Sequence, residues 1–317
     1  MANVRKYRIF TIRKLNYQIS FLETKVEVEV WANDHNIVEA VVLPEIECDG
    51  EKYAVTAIKS AGFKDCINLK RIELPDTIKW IGKSAFERCI ALNRIDLPKS
   101  LIRVEENAFT NSGIESINIP ESALYLEQSV FQGCKDLKYI KLPENMLHLS
   151  PFLFACCKSL KSIDLPKSIS SFGEHTFSNC TSLENISIPE NVTAIPPFCF
   201  YHCTSLKHIE FEGIIESIGE FAFSNCINLT DEDFFIPESV SDIDKYAFED
   251  CEVLASINIP NSIAYIGVNV FNNCPNINHV QFSQALVDRP DADVIFNQLF
   301  EAKLRTREIL LRIPTFS

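Results

Sequence analysis

Glycine is scarce in this chain, with nine residues in 317. Phosphate-cradling loops depend on clustered glycines, and neither a P-loop nor a Rossmann glycine pattern occurs; the Gly-x-Ser-x-Gly elbow of serine hydrolases is missing as well. Positive charge is in deficit: 30 Lys and Arg stand against 43 Asp and Glu, a net charge of -13. That balance favours solubility and disfavours nucleic acid and anionic membrane, both of which need clustered cations. No apolar run approaches the ~18 residues of a membrane-spanning helix. The first residues, MANVRKYRIFTIRKLNYQISF, break up their apolar positions with Arg, Lys and Asn, so the continuous apolar stretch of a secretory leader is lacking. As written, the chain is expected to be cytoplasmic.

What the chain does have is repetition. Phe172 to Ile195 contains Thr176-Phe177, Cys180, Leu183, Ile186, Ile188-Pro189, Val192 and Ile195, and the skeleton starts again at Ile195 with Cys199-Phe200, Cys203, Leu206 and Ile209. The Phe column runs through Phe63, Phe86, Phe109, Phe131, Phe154, Phe177, Phe200, Phe223, Phe248 and Phe271, which makes ten coils. In each, Leu-x-x-Ile-x-Leu-Pro predicts a short strand ended by proline, which cannot donate to a ladder. The next piece returns along the opposite side in extended form. The Ala-Phe-x-x-Cys segment is too short for a helix and predicts a helical turn at most. One coil cannot bury its apolar slice alone, so the coils stack.

Twelve cysteines would suggest a disulfide scaffold in a secreted chain. Nine of them, Cys66, Cys89, Cys134, Cys157, Cys180, Cys203, Cys226, Cys251 and Cys274, stand three residues after the repeat's Phe. Stacked at about 4.8 Å with parallel Cβ vectors, they are poorly placed for a disulfide. A column of reduced, buried thiols is expected, as in a reducing compartment.

Residues 1–57 lack the repeat. Tyr7–Ile12, Tyr17–Phe21, the strictly alternating Lys25–Trp31, Ile37–Leu43 and Tyr53–Ile58 read as strands, with a turn at Asp49-Gly50. They form the expected N-terminal β cap. The solenoid is placed at 58–286 and a C-terminal helical cap at 287–317. There Asp288-Arg-Pro-Asp291 opens a helix carrying Ile295, Phe296, Leu299, Phe300 and Leu304, with Lys303, Arg305 and Arg307 toward its end. Three coils depart from the pattern. The third is one residue short, with Ser112 in place of Cys, the seventh has Glu212 in place of Pro, and the eighth inserts acidic residues after Leu229.

The skeleton Ile-x-x-x-Ala-Phe-x-x-Cys-x-x-Leu-x-x-Ile-x-Leu-Pro-x-x-Ile-x-x-Ile resembles the BspA-like leucine-rich repeat family from Ile58 to about Phe282. Ala222-Phe223-Ser-Asn-Cys226 and Ala247-Phe248-Glu-Asp-Cys251 are near-consensus copies. Val42-Leu-Pro-Glu45 and Tyr53–Ile58 look like that family's β cap. The resemblance implies a right-handed leucine-rich repeat solenoid that binds without catalysis. It also implies the alternative of a surface or secreted protein that binds host or matrix proteins.

Metal, nucleophilic and acid–base chemistry find little support. Cys199, His202 and Cys203 form a Cys-x2-His-Cys cluster, but strand-like alternation points His202 away from the sulfurs, whereas zinc needs converging ligands. The histidines at 35, 148, 175, 202, 208 and 279 fall in unrelated columns. Paired carboxylates such as Glu105-Glu106 read as solvated turns, and the sequons at Asn179, Asn185, Asn191 and Asn228 as chance. No cofactor, metal or catalytic residue is assigned, and the expected partner is a protein. The residues flanking each central Ile point outward in two columns. One holds Arg71, Arg94, Ser116, Tyr139, Ser162, Asn185, His208, Ser256 and His279. The other holds Glu73, Asp96, Asn118, Lys141, Asp164, Ser187, Glu210, Phe235, Asn258 and Gln281. Arg and aromatic side chains dominate interfaces, so Arg71, Arg94, Tyr139, Lys141, His208, Glu210 and Phe235 are the candidate binding residues. Truncating one core ring tests the nearest-neighbour stacking. Phe177→Ala should cost about 3–5 kcal/mol, and native-state hydrogen exchange should show the loss first in the coils around it.

Overall fold

The computed structural model describes residues 6–21, 26–230, 234–282, 284–290, 292–299 and 310–312. It is a β-solenoid of about ten coils with parallel ladders and almost no helix. Two compact units are distinguished, Met1–Met146 with Phe152–Cys157, and Leu147–Pro151 with Lys158–Ser317.

The first unit opens with an antiparallel meander of β1 (Lys6–Ile12), β2 (Leu15–Phe21) and β3 (Val26–Ala32). Leu15, Tyr17, Ile19, Val28 and Val30 are buried on one face, as their alternation requires. Next come β4 (Glu39–Val41), β5 (Glu45–Cys48), β6 (Glu51–Ala54) and β7 (Ala57–Ile58). β5 and β6 form a hairpin whose turn, Asp49-Gly50, has positive φ at both residues. β3 then pairs in parallel with β7, and the ladder continues through Trp80–Ile81, Arg103–Val104 and Tyr125–Leu126. These are the returning segments, and together with the meander they make a seven-stranded sheet. The Leu-x-x-Ile strands form a second row, with β4 beside Arg71–Glu73 and Ser116–Asn118 beside Tyr139–Lys141.

The second unit repeats the plan. Asn185–Ile188 pairs with His208–Phe211 and Ser256–Asn258 with His279–Gln281. The returning row joins Ala194–Ile195, Ser217–Ile218, Asp242–Ile243 and Tyr265–Ile266. After the last coil the chain forms short helices at Gln284–Val287 and Ala292–Leu299, burying Leu286, Ile295 and Leu299. A strand, Leu310–Arg312, then extends the ladder beside His279–Gln281. The C-terminal segment therefore contributes a strand as well as a helix. Asp291, Phe300, Lys303, Leu304, Arg305 and Arg307 of the predicted helix lie outside the described residues. So do the inserted acids Asp231, Glu232 and Asp233.

The third side of each coil differs from the expected helical turn. Residues two before and two after the repeat's Phe have positive φ, as in Phe198 (56°) and His202 (59°). Each is the third residue of a four-residue turn, the place where a type II turn demands positive φ. Backbone bonding alternates along the segment. Cys199, Tyr201 and Cys203 donate within the coil, to the carbonyls of Pro196, Phe198 and Phe200. Phe198, Phe200 and His202 donate to the next coil, to Glu220, Ala222 and Ser224, at 2.8–2.9 Å. A right-handed helix would spend all its bonds internally; this turn spends half of them on stacking.

The Phe rings lie inside these turns. Phe63, Phe86, Phe109, Phe131 and Phe154 stack at 5.2–6.0 Å in the first unit. Phe177, Phe200, Phe223, Phe248 and Phe271 stack at 5.3–5.5 Å in the second. All twelve cysteines are free. The column thiols donate S–H to the Phe carbonyl of the preceding coil: Cys89 to Phe63, Cys134 to Phe109, Cys203 to Phe177 and Cys226 to Phe200, at 3.0–3.2 Å. In the third coil the Ser112 hydroxyl sits 3.4 Å from the Cys134 sulfur, so serine keeps a polar partner in the column.

The third and seventh coils each place a glycine where the chain closes on its predecessor. A Cβ on Gly113 would overlap the carbonyl oxygen of Ile90, and one on Gly213 that of Glu190. Gly113→Ala and Gly213→Ala should therefore each destabilise by about 1–3 kcal/mol, measured by urea denaturation. Burial pushes the thiols up from their ordinary value of 9.0, Cys66 to about 11 and Cys134 to about 12. The raised folded value means that their contribution to stability is complete below the unfolded pKa and is lost as pH rises toward the folded one. Thermal melting points should fall between about pH 9 and 11. In the native protein a thiol reagent should label the half-exposed Cys156 fast and the buried column only on unfolding.

Candidate functional site

The outward columns of the Leu-x-x-Ile row arise from strand alternation. Ile72, Ile95, Ile117 and Ile140 in the first unit, and Ile186, Ile209, Phe234 and Ile257 in the second, are buried. Their neighbours on either side therefore turn to solvent.

In the first unit Arg71, Arg94, Tyr139 and Lys141 are all exposed. Each Arg is held across its own strand by the acid two residues on, Arg71 to Glu73 at 2.9 Å and Arg94 to Asp96 at 3.1 Å. Exposed pairs of this kind add little stability; they orient the guanidinium groups. Arg71 and Arg94 line one open depression of about 380 Å³ with Ile72, Glu73, Asn93 and Asp96. Arg94 also lines a second, of about 370 Å³, with Asp96, Ser116, Asn118 and Tyr139. Arg71, Arg94 and Tyr139 thus share one continuous surface, and Lys141 extends from Tyr139's strand.

In the second unit His208 and Glu210 project from one strand. Glu210 accepts a hydrogen bond from the Ser187 hydroxyl at 2.8 Å, in register across the ladder. Phe234 and Phe235 part company. Phe234 is buried against Phe211, Phe223 and Phe248, and Phe235 is 72% exposed.

The Cys199, His202 and Cys203 cluster does not gather into a ligand set. Cys199 and Cys203 are buried, and burial holds both thiols far above their ordinary pKa, so they are protonated. The Cys203 S–H is engaged with the Phe177 carbonyl. Zinc takes thiolates, and among the described residues no three His, Cys, Asp or Glu side chains converge as a metal site.

Two surfaces escaped the sequence reading. One is the outer face of the first unit's returning row, with Trp80, Arg103 and Tyr125 half-buried or exposed. At its cap end a depression of about 330 Å³ is bounded by Glu27, Glu29, Trp80, Arg103 and Glu105. Burial raises the Glu29 carboxyl, opposed by Lys59 at 3.7 Å. The sequence signal, a variable residue before the second Ile of each coil, was available. The other is a half-buried stack, His175, Phe198, Phe221 and Tyr246, with centroids 4.5–5.0 Å apart. All four have positive φ, costly for bulky residues, and stacking offsets part of that cost. Burial lowers the His175 pKa against the opposing pull of Glu174.

No curated protein matches the chain. Among solved structures it is similar to the pneumococcal vaccine antigen PcpA, at 21% identity and a TM-score of 0.64 over 88% of this chain and 82% of that one. It is similar also to a leucine-rich repeat protein from Bacteroides ovatus, at 24% identity and TM-score 0.42 over 92% and 99%. A leucine-rich cell surface protein from Faecalibacterium prausnitzii is 19% identical, with TM-score 0.48 over 92% and 98%. The BspA type leucine-rich repeat region matches in six copies over residues 56–184 and 173–292, and with that match over most of its length the chain belongs to the BspA type leucine-rich repeat family.

Proposed function

We propose that the protein is a non-enzymatic protein-interaction module that uses the outward face of its Leu-x-x-Ile strands. The observation that carries this is the contrast between columns. The core positions repeat Phe, Cys, Leu and Ile coil after coil, whereas the outward positions vary and hold the exposed Tyr139 and Phe235 among Arg and acidic groups. Packing constrains the first set alike in every coil. Nothing in packing asks for Phe235, and aromatic and Arg anchors are what a protein partner engages. Arg71, Arg94, Tyr139 and Lys141 form one contact surface in this proposal and His208, Glu210 and Phe235 another, with a protein as ligand and no cofactor.

A second reading is a role outside the cell, as an adhesin or structural protein binding host or matrix proteins. The name of the Faecalibacterium protein, a cell surface protein, prompts it; in this chain no helix among the described residues is long and apolar enough to cross a membrane. Affinity capture from the native cell's lysate and surface fractions, with the intact chain beside the Arg94→Ala/Tyr139→Ala and His208→Ala/Phe235→Ala double variants, tests both. A specific partner should be retained by the intact chain and weakened on the order of tenfold or more by at least one double variant. Equal retention by all three would move the interface off this face. A partner found only in the surface fraction would favour the second reading.

A further inference from the structure

A different surface, independent of the face just described, lies at the start of the chain. β1 is the outermost strand of the seven-stranded sheet, and among the described residues nothing pairs with its far edge. Edge strands are normally guarded by shortness, proline, a bulge or an outward charge. β1 has seven residues, no proline and an unbroken one-to-one register with β2. Its Arg8 is turned to Asp49, at 2.6 Å, on the hairpin of β5 and β6. Tyr7 and Ile9 stand 60% and 51% exposed.

The hairpin geometry says which backbone groups are open. Ile12 and Leu15 flank a two-residue turn and pair directly, so they exchange hydrogen bonds, as do alternate pairs back along the strand. The N–H and C=O groups of Tyr7, Ile9 and Thr11 therefore face away from β2. The turn is Arg13-Lys14, with positive φ at both residues (48° and 68°). That conformation belongs to Asn-Gly; two long cations hold it here at a conformational cost, which marks the tip as a place selected for something besides closing a turn. Both are exposed. Every charged residue among the first 22 is basic, in a chain of net charge -13.

We propose that the free edge of β1 is a strand-addition site for an extended acidic segment of a partner protein. The segment pairs antiparallel with Tyr7–Thr11 through the open backbone groups. Its apolar residues share the face of Tyr7 and Ile9, and carboxylates at its N-terminal end meet Arg13 and Lys14. Backbone bonding supplies the affinity in this mode, and the charged end selects the partner.

The test uses the full chain and a fluorescent peptide, Glu-Glu-Val-Thr-Val-Thr-Val with both ends blocked. Controls are its Lys-Lys counterpart and an acidic version N-methylated at alternate amides. Anisotropy titrations should show saturable binding of the acidic peptide that weakens with salt, with the Lys-Lys and N-methylated peptides weaker by on the order of tenfold. Ile9→Pro, which removes one outward N–H and leaves the bonds to β2 intact, should weaken binding similarly, with far-UV circular dichroism confirming the fold. Arg13→Glu/Lys14→Glu should reverse the preference between the acidic and basic peptides. Absence of acidic-peptide binding, or equal binding of the N-methylated or Lys-Lys peptide, would overturn the proposal. So would a concentration-dependent dimer in sedimentation that Ile9→Pro abolishes, since the edge would then belong to a second copy of the chain.

Discussion

The carbonyl oxygen of the repeat's Phe is the point on which each coil depends. In Phe63, Phe177 and Phe200 it accepts the N–H of the column Cys in its own coil and the S–H of the column Cys in the next. Both lone pairs of a buried acceptor are used, one to close the turn and one to bind the neighbour. An unpaired carbonyl there would be desolvated without compensation, at roughly 1–3 kcal/mol per coil. Cysteine suits the position because it is small and apolar enough for a packed column yet can donate weakly. The raised thiol pKa values follow from the same burial.

Around that point the turn is built so that every second N–H leaves its own coil. Positive φ at two residues per coil is what redirects them. Asn, Asp and His tolerate this region better than other residues, and Asp65, Asn111, Asn179, His202, Asn225, Asp250 and Asn273 occupy one of the two positions. The other position is less uniform and carries Ala61, Ser84, Asn107, Ser129 and Phe152 in the first unit and His175, Phe198, Phe221, Tyr246 and Asn269 in the second. The rings of His175, Phe198, Phe221 and Tyr246 are accommodated because they lie flat on one another. The coil is thus rigid where the backbone alternates its partners, and free to vary on the two strand faces, where side chains meet only water or a partner.

Several of the proposed contact residues are already held by their neighbours. Arg71 and Arg94 are held in place by Glu73 and Asp96, and Glu210 by Ser187, so part of the side-chain ordering that association would require is already met. The two ends of the solenoid solve the exposed-edge problem differently. At the N-terminus the meander carries the returning row outward to β1, and at the C-terminus short helices and the strand at Leu310–Arg312 follow the last coil. Capping displaces an open edge without abolishing it, and among the described residues β1 is the last strand of its sheet.

Period, coil count, the Phe and Cys columns, the free thiols, the N-terminal β cap and the inward–outward alternation around Ile72 to Ile257 were all legible in the sequence. Each follows from the spacing of apolar residues, and spacing survives as long as every coil must bury the same slice. The candidate contact residues were legible as outward positions by the same logic. That Arg71, Arg94 and Tyr139 line adjoining depressions was not, because it depends on how neighbouring strands bring their side chains together. The handedness of the turns was not legible either. Ala-Phe-x-x-Cys fits a right-handed turn locally, and only the neighbouring coil's carbonyls make the alternating, positive-φ path the better one. Phe234 and Phe235 are adjacent and chemically identical, and it is packing against Phe211, Phe223 and Phe248 that decides which of them is core. Sequence determined what each coil must bury, because burial is set by composition and period; tertiary structure decided where each coil's hydrogen bonds go and which surfaces stay open, because those depend on partners supplied by another part of the chain.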